Sequence, residues 1–171
     1  MPHYIAEEAP LKRILRTNCR LVYDYWNGLR GDAFAPSWIQ VELMDLLAEV
    51  VRFVRVLDVI DGGGRFVYRF WGTGMVDVLG EERTQRNLQA NGTPGTDLAV
   101  RMCRAVVAER QPVGYFLQLQ PRNGEAPFSP VTAPGIRLPL SSDGRQVDHI
   151  LCYTDFGADR ERWRSYYESR P

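Results

Sequence analysis

The sequence predicts an α+β fold, in which a curved antiparallel sheet of five strands carries helices mainly on one face. Three observations lead to this prediction. Two early segments place apolar residues at helical spacing, and five later segments are rich in β-branched and aromatic residues or alternate with period two. Tight glycine-containing turns join some of these strands, which makes those pairs antiparallel. Helices and strands in separate blocks are typical of α+β domains.

The composition indicates one ordinary globular domain. A chain of 171 residues buries roughly 70% of its unfolded surface, so it needs no metal or disulfide to form a core. The net charge is zero, because 21 Lys and Arg balance 21 Asp and Glu, and this argues against a large nucleic-acid-binding surface.

The cysteines and the hydropathy pattern predict a cytoplasmic protein. The three cysteines lack a Cys-x-x-Cys spacing, which favours reduced thiols. The N-terminus lacks the apolar core of a signal peptide, and no run of about 18 apolar residues occurs in the sequence. We therefore expect no membrane span.

The first part of the chain predicts a flexible start and then a helical extension. Residues 1–16 show no clear periodicity and are expected to be loosely ordered. The extension covers residues 17–51, with Thr17 capping a helix that ends before Gly31, and a second short helix over 41–50. The apolar stripe of the first helix consists of Leu21, Val22, Tyr25, Trp26 and Leu29.

Residues 52–156 contain the predicted sheet. Residues 52–60 and 65–71 form a hairpin around the glycines of 61–64. In its second strand, Phe66, Tyr68 and Phe70 are expected on one face, and Val67, Arg69 and Trp71 on the other.

The remaining elements alternate between helices and strands. Their predicted ranges are helices over 73–79 and 96–110, a strand over 111–120, a proline-rich loop over 121–135, a hairpin of 136–140 with 146–156, and a C-terminal tail over 157–171 that includes a helix. The longer helix turns Leu98, Met102, Ala105 and Val106 to one side.

The segment Gly72-Thr-Gly74 lies between a predicted strand and a predicted helix, as a nucleotide-binding loop does, but it lacks the full motif of such a loop. A dinucleotide fingerprint needs G-x-G-x-x-G inside a parallel βαβ unit. Here Asp77 stands at the third glycine position, and the preceding strand is half of an antiparallel hairpin. We interpret the two glycines as a tight corner between a strand and a helix.

The remaining reactive residues do not form a recognisable catalytic or metal site. Asn18-Cys19-Arg20-Leu21 resembles the cysteine motif of flavin-binding photosensor domains, but it precedes every predicted strand instead of following the first two. Cys19 is therefore interpreted as a small apolar helix residue. His149 lies alone on the last strand. We predict no metal and no catalytic residues, and the sequence identifies no cofactor.

One group of side chains is the candidate site. The concave face of the sheet and the two middle helices would enclose an apolar cup, which is either a plain hydrophobic core or a cavity for a small apolar ligand. The predicted ligand-binding residues are Phe66, Tyr68, Phe70, Met75, Leu79, Leu98, Met102 and Tyr115, with Phe116 in place of Tyr115 if the strand register differs.

Several short motifs, taken in order, resemble the bacterial single-domain PAS proteins. They are Tyr25-Trp26-x-x-Leu29-Arg30-Gly31, Tyr68-Arg69-Phe70-x-Gly72-Thr73, Gly80, Arg110-Gln111-Pro112-Val113, Leu138-Pro139-Leu140-Ser141 and Asp143-Gly144. The resemblance covers about residues 21–156. The chain departs from the pattern at Thr84-Gln85-Arg86, where a Thr-Gly-Arg step is usual.

The resemblance implies a five-stranded sheet in the order 2-1-5-4-3, with the leading helices on its other face. Tyr25 and Trp26 would then pack against Val67 and Trp71. It also implies a sensory or regulatory module, not an enzyme, that acts through a homodimer or a signalling partner. The alternative is a small isomerase or dehydratase of a cone-shaped α+β fold, for which the cup offers only Tyr68 and His149 as acid or base.

Overall fold

The computed structural model describes residues 4–91, 95–119 and 131–168. Its strands and helices are, in chain order, β1 (Tyr4–Ala9), α1 (Leu11–Ile14), α2 (Cys19–Arg30), α3 (Ala48–Val51), β2 (Val54–Ile60), β3 (Arg65–Trp71), α4 (Thr73–Leu79), α5 (Thr96–Glu109), β4 (Val113–Leu119), β5 (Val131–Leu140), β6 (His149–Thr154) and α6 (Arg160–Glu168). None of the helices in the described ranges is long and apolar enough to cross a membrane.

The sheet has the strand order that the PAS resemblance implies. Its order is β1-β4-β5-β6-β2-β3, and every neighbouring pair is antiparallel. Without β1, the remaining strands numbered along the chain run 2-1-5-4-3. The fold is therefore a PAS-like α+β fold with one additional edge strand, which confirms the predicted fold class and corrects the strand count.

Residues 4–9 form that edge strand, in place of the loosely ordered start that the sequence predicts. β1 pairs with β4 from Tyr4 opposite Leu119 to Ala9 opposite Gly114. Backbone hydrogen bonds hold the strand, whereas the side chains of Glu7 and Glu8 are exposed. The apolar alternation that would identify a strand in the sequence is therefore weak.

The segment 41–50 does not form the single helix that its spacing suggests. It contains a 3₁₀ turn at Leu43–Asp45 and the start of the four-residue α3. The Tyr25 hydroxyl accepts a hydrogen bond from the Glu42 N–H (2.8 Å) and donates one to the Glu42 carbonyl (3.0 Å). The second of these bonds uses the Glu42 carbonyl, which a continuous helix over 41–50 would need for its own hydrogen bonds.

The proline-rich segment 121–135 is only partly outside regular structure. Residues 131–135 belong to β5, and residues 121–130 lie outside the described ranges. Pro134 is tolerated because its missing N–H faces β6 just outside the β5–β6 ladder, which begins at Gly135 opposite Thr154. Its carbonyl faces the same way and accepts from the Asp155 N–H just beyond β6.

A register shift changes which side chains of β3 face the cup. Val56 of β2 pairs with Phe70, but the next residue, Leu57, pairs with Tyr68, so Arg69 is an extra residue on β3. Phe70 therefore faces the opposite side from Tyr68, and Trp71 joins Tyr68, with ring centres 4.8 Å apart. The predictions that Phe70 faces the cup and Trp71 faces away are both wrong for this reason.

The leading helices cover the outer face of the sheet, as expected, but not at β3. Helix α2 packs against β5 and β6, and the Trp26 indole N–H donates to the Pro139 carbonyl at 2.7 Å. The expected contact of Tyr25 and Trp26 with Val67 and Trp71 is replaced by this one. On the other side of the sheet, α4 and α5 cover the inner face, which corresponds to the predicted cup.

Candidate ligand cavity

Two arginines stand in the middle of the inner face. Arg55 on β2 and Arg137 on β5 both pair with Cys152 on β6, and residues directly opposite one another share a face of the sheet. Arg55 is 8% exposed and Arg137 is 7% exposed. Guanidinium groups stay charged at any physiological pH, so this face buries two positive charges.

Tyr115 on β4 positions both guanidinium groups. Its ring lies over Gly135, where an added Cβ would overlap the ring. The Arg55 Nη2 donates to the Tyr115 hydroxyl (3.1 Å) and to Thr154 Oγ1 (2.7 Å). The guanidinium of Arg137 lies 5.2 Å from the centre of the Tyr115 ring, which is a cation–π distance.

A cavity lies between these arginines and the two covering helices. It offers about 80 Å³ of space to the centres of water molecules. One water needs roughly 10–15 Å³ on that measure, so the cavity has room for several waters or one small molecule. Its lining residues are Ala6, Arg55, Tyr68, Trp71, Met75, Leu79, Arg83, Leu88, Gly95, Thr96, Ala99, Met102, Tyr115, Leu117, Arg137 and Phe156.

The structure brings together part of the predicted site. Tyr68, Met75, Leu79, Met102 and Tyr115 line the cavity, and their role in binding stays a prediction.

The other three predicted residues lie elsewhere. Phe66 is fully buried in the core, and Phe70 faces the outer side beyond the register shift. Leu98 is half-buried outside the lining, because α5 turns Thr96, Ala99 and Met102 to the cavity instead.

Sequence reasoning missed the polar half of the site. Arg55 and Arg137 line the cavity, and a pattern of apolar residues does not select them. The two arginines interrupt otherwise apolar strands, in Val54-Arg-Val56 and Ile136-Arg-Leu138. An arginine between buried neighbours is unusual, and this was the signal in the sequence that could have found them.

Two ionisable groups near the arginines, the Tyr68 phenol and the Cys103 thiol, are neutral at physiological pH. Burial raises the pKa of Tyr68 to about 12, although Arg55, Arg137 and Arg83 oppose the effect. Burial likewise raises the pKa of the Cys103 thiol to about 12, against the influence of Arg137. Neither phenol nor thiol therefore supplies negative charge to balance the two guanidinium groups.

Two other residues singled out in the sequence lie away from the cavity. Cys19 is fully buried on α2, on the outer face of the sheet, so its thiol cannot reach a flavin placed in the cup. Among the described lining residues there is no cysteine. His149 is also on the outer side, stacked on Trp38 with ring centres 6.1 Å apart. In the same described part of the chain, no three His, Cys, Asp or Glu residues come together as metal ligands.

No protein-family model matches the sequence, and no curated protein matches it.

Solved structures do show a likeness. An RNA-binding light-oxygen-voltage receptor aligns with 98% of this chain and 42% of its own, at 15% identity and a TM-score of 0.43. A fungal light-oxygen-voltage domain photoreceptor aligns with 67% of this chain and 79% of its own, at 19% identity and a TM-score of 0.41. The chain thus spans less than half the length of the first of these proteins, and we draw no functional conclusion from either likeness.

Proposed function

We propose that this protein is a cytoplasmic PAS-type sensory module that binds a small ligand and acts through protein–protein interaction or as a homodimer. The observation that carries the proposal is the cavity between the inner face and helices α4 and α5. The side chains there leave about 80 Å³ of space, which favours a binding site over a plain core. Much of its wall is apolar, which suits a ligand with an apolar part.

A contact path leads from the cavity to the C-terminal helix. Phe156 lines the cavity, and its ring lies 5.4 Å from the Trp163 ring on α6. Helix α6 also packs against α4, whose residues Met75 and Leu79 form part of the same wall. Occupancy of the cavity would therefore bear on α6 through direct packing.

An interaction surface is offered by the segment that follows α2. Ile39, Met44 and Leu47 are 88%, 87% and 67% exposed. Exposed large apolar side chains grouped in one segment are typical of a surface that contacts another protein. We propose that a second copy of this chain, or a signalling partner, covers them.

The alternative of a small enzyme is not favoured. An isomerase or dehydratase needs an acid or base inside the cup. His149 lies outside it, and no Asp, Glu or His is found among the described lining residues. The phenol of Tyr68 has its pKa raised to about 12, away from the range that general acid–base catalysis uses at neutral pH.

Native mass spectrometry of the purified full chain tests the proposal. We expect a mass above that of the chain alone, from a retained small molecule, and a population of dimers. A strictly monomeric protein that retains nothing, and that captures no partner, would contradict the proposed function.

A further inference from the structure

Among the described residues, neither of the two buried arginines of the cavity has a carboxylate partner. Two other arginines show the contrast, because each lies beside a carboxylate: Arg83 is 3.2 Å from Glu81, and Arg20 is 3.2 Å from Asp24. Within residues 4–91, 95–119 and 131–168, no ion pair involves Arg55 or Arg137. A buried charge without a counter-charge is expensive to maintain.

The same cavity also gathers hydrogen-bond donors that lack an acceptor. Among the described residues, buried N–H groups without a partner occur on Arg55 Nε, Arg137 Nε, Trp71 Nε1 and Trp163 Nε1. The first three belong to side chains that line the cavity. The hydrogen bonds that the arginines make among the described residues go to the Tyr115 hydroxyl, the Thr154 hydroxyl and the Cys152 sulfur, not to carboxylates.

The other lining residues indicate which further chemical groups a ligand would have besides a hydrogen-bond acceptor. The N-terminal end of the 14-residue helix α5, at Gly95 and Thr96, also lines the cavity, and a helix N-terminus carries partial positive charge. The facing wall is apolar, with Met75, Leu79 and Met102. The lining therefore combines positively charged and donor-rich groups with apolar side chains.

We propose that the cavity binds a small organic carboxylate, whose oxygens accept hydrogen bonds from Arg55, Arg137 and Trp71. A carboxylate supplies two oxygens with about four acceptor sites and the missing negative charge. Its short apolar body lies against the wall formed by Met75, Leu79 and Met102. This assignment rests on the proposed function and names the chemical class of the ligand.

Phosphate oxygens would suit the same donors, but the apolar wall favours an organic body. The test therefore compares four probes by isothermal titration calorimetry: butanoate, benzoate, the neutral benzamide and inorganic phosphate. We expect butanoate or benzoate to bind, benzamide to bind at least about tenfold more weakly than benzoate, since it lacks the charge, and phosphate to bind more weakly than the better carboxylate.

The variants Arg55→Met and Arg137→Met each remove one charge while keeping a side chain of similar length. We expect each to weaken carboxylate binding at least about tenfold and to leave the melting temperature of the ligand-free protein unchanged or higher, since an unpaired buried charge has been removed. If the arginine were only structural, its replacement would instead lower the melting temperature.

Arg20→Met, on the exposed side of α2, is the matched control and should bind the carboxylate like the wild type. Trp71→Phe removes the indole donor while keeping an aromatic ring, and it should weaken binding by a smaller factor.

Three results would overturn the inference. They are equal affinity for benzamide and benzoate, unchanged carboxylate affinity in Arg137→Met and Trp71→Phe, or no binding of any anion up to about 10 mM, a range in which even a weak specific site is detected. Tighter binding of phosphate than of both carboxylates would also overturn the assignment to a carboxylate. A neutral molecule retained in native mass spectrometry would remove the carboxylate inference and leave the proposed sensory function standing.

Discussion

The two faces of the sheet are built from the same strands but serve different ends. On the outer face, apolar side chains of α1 and α2 pack against the sheet. Among them, Ile14, Val22 and Trp26 are almost fully buried. On the inner face, the same strands turn Arg55 and Arg137 toward a cavity. Alternation along a strand allows this separation, because successive side chains point to opposite faces.

The difference indicates that the outer face supplies stability and the inner face gives up some of it. Dry, close-packed surfaces stabilise a fold in proportion to the apolar area that they bury. Buried charges and unpaired donors reduce stability. The following predictions test whether the two faces differ in this way.

Trp26→Ala should be the most damaging change. It removes a 3% exposed indole and its hydrogen bond to the Pro139 carbonyl, at an expected cost of about 3–5 kcal/mol in the free energy of unfolding. Urea titration followed by circular dichroism measures it.

Trp71→Ala is the matched change on the inner face. Trp71 is 5% exposed, but among the described residues its indole N–H has no hydrogen-bond partner, whereas the indole N–H of Trp26 does. We expect it to cost less than Trp26→Ala. A greater loss for Trp71→Ala would reverse the assignment of stability to the outer face.

Gly135→Ala should be the next most damaging, although it adds only one methyl group. The new Cβ would overlap the ring of Tyr115, so the ring must move, and overpacking of this kind costs about 1–3 kcal/mol. The moved ring would also lose its contacts with both arginines. Differential scanning calorimetry should show a lower melting temperature.

Gly28→Ala is the control for Gly135→Ala. Gly28 lies on α2 with nothing within 4 Å of an added Cβ. In a helix this substitution is expected to stabilise by roughly 0.5–1 kcal/mol. If both variants shifted the melting temperature in the same direction, steric overlap at Tyr115 would not be the cause.

One buried thiol on each side of the sheet should make stability fall in alkali. Burial raises the pKa of Cys19 on α2 and of Cys103 on α5 from 9.0 to about 12. The contribution of the two protonated thiols to the free energy of unfolding is complete below pH 9. It is lost as the pH rises toward 12, because the thiol in the unfolded chain releases its proton at a lower pH than the thiol in the folded protein. Each thiol should contribute a slope of up to about 1.4 kcal/mol per pH unit.

Urea unfolding between pH 8 and 10.5 measures this slope. Cys19→Ala and Cys103→Ala should each make it shallower than in the wild type, and neither should alter it below pH 8. An unchanged slope in either variant would mean that the thiol concerned ionises readily in the folded protein.

Several helices and strands could be predicted from the sequence, because they depend on local patterns of residues. The helices over 73–79 and 96–109 and the strand over 65–71 follow from periodicity, with glycine corners at their ends. The corner at Gly72 depends on close approach to the Arg52 carbonyl.

The cavity could be predicted only in part. The register shift at Arg69 exchanges Phe70 and Trp71, and it depends on pairing with β2 across the hairpin. The pairing of β1 with β4 depends on backbone groups brought together from distant parts of the chain. Arg55 and Arg137 meet because three strands align them, which no local pattern encodes.

The smallest change in stability is expected from substituting an exposed residue of the outer layer, on the side that faces away from the sheet. Met44 is 87% exposed, whereas Leu46, two residues later, is 9% exposed and packs in the core. Met44→Ser should alter the free energy of unfolding by less than about 0.5 kcal/mol, and Leu46→Ser should cost several times more. Light scattering after size exclusion then separates folding from association: if a second copy covers Met44, the Met44→Ser protein keeps its stability as a monomer and loses its dimer. A dimer that forms equally well in Met44→Ser would place the contact between copies on another surface, and the apolar side of this segment would then contribute neither to the fold nor to self-association.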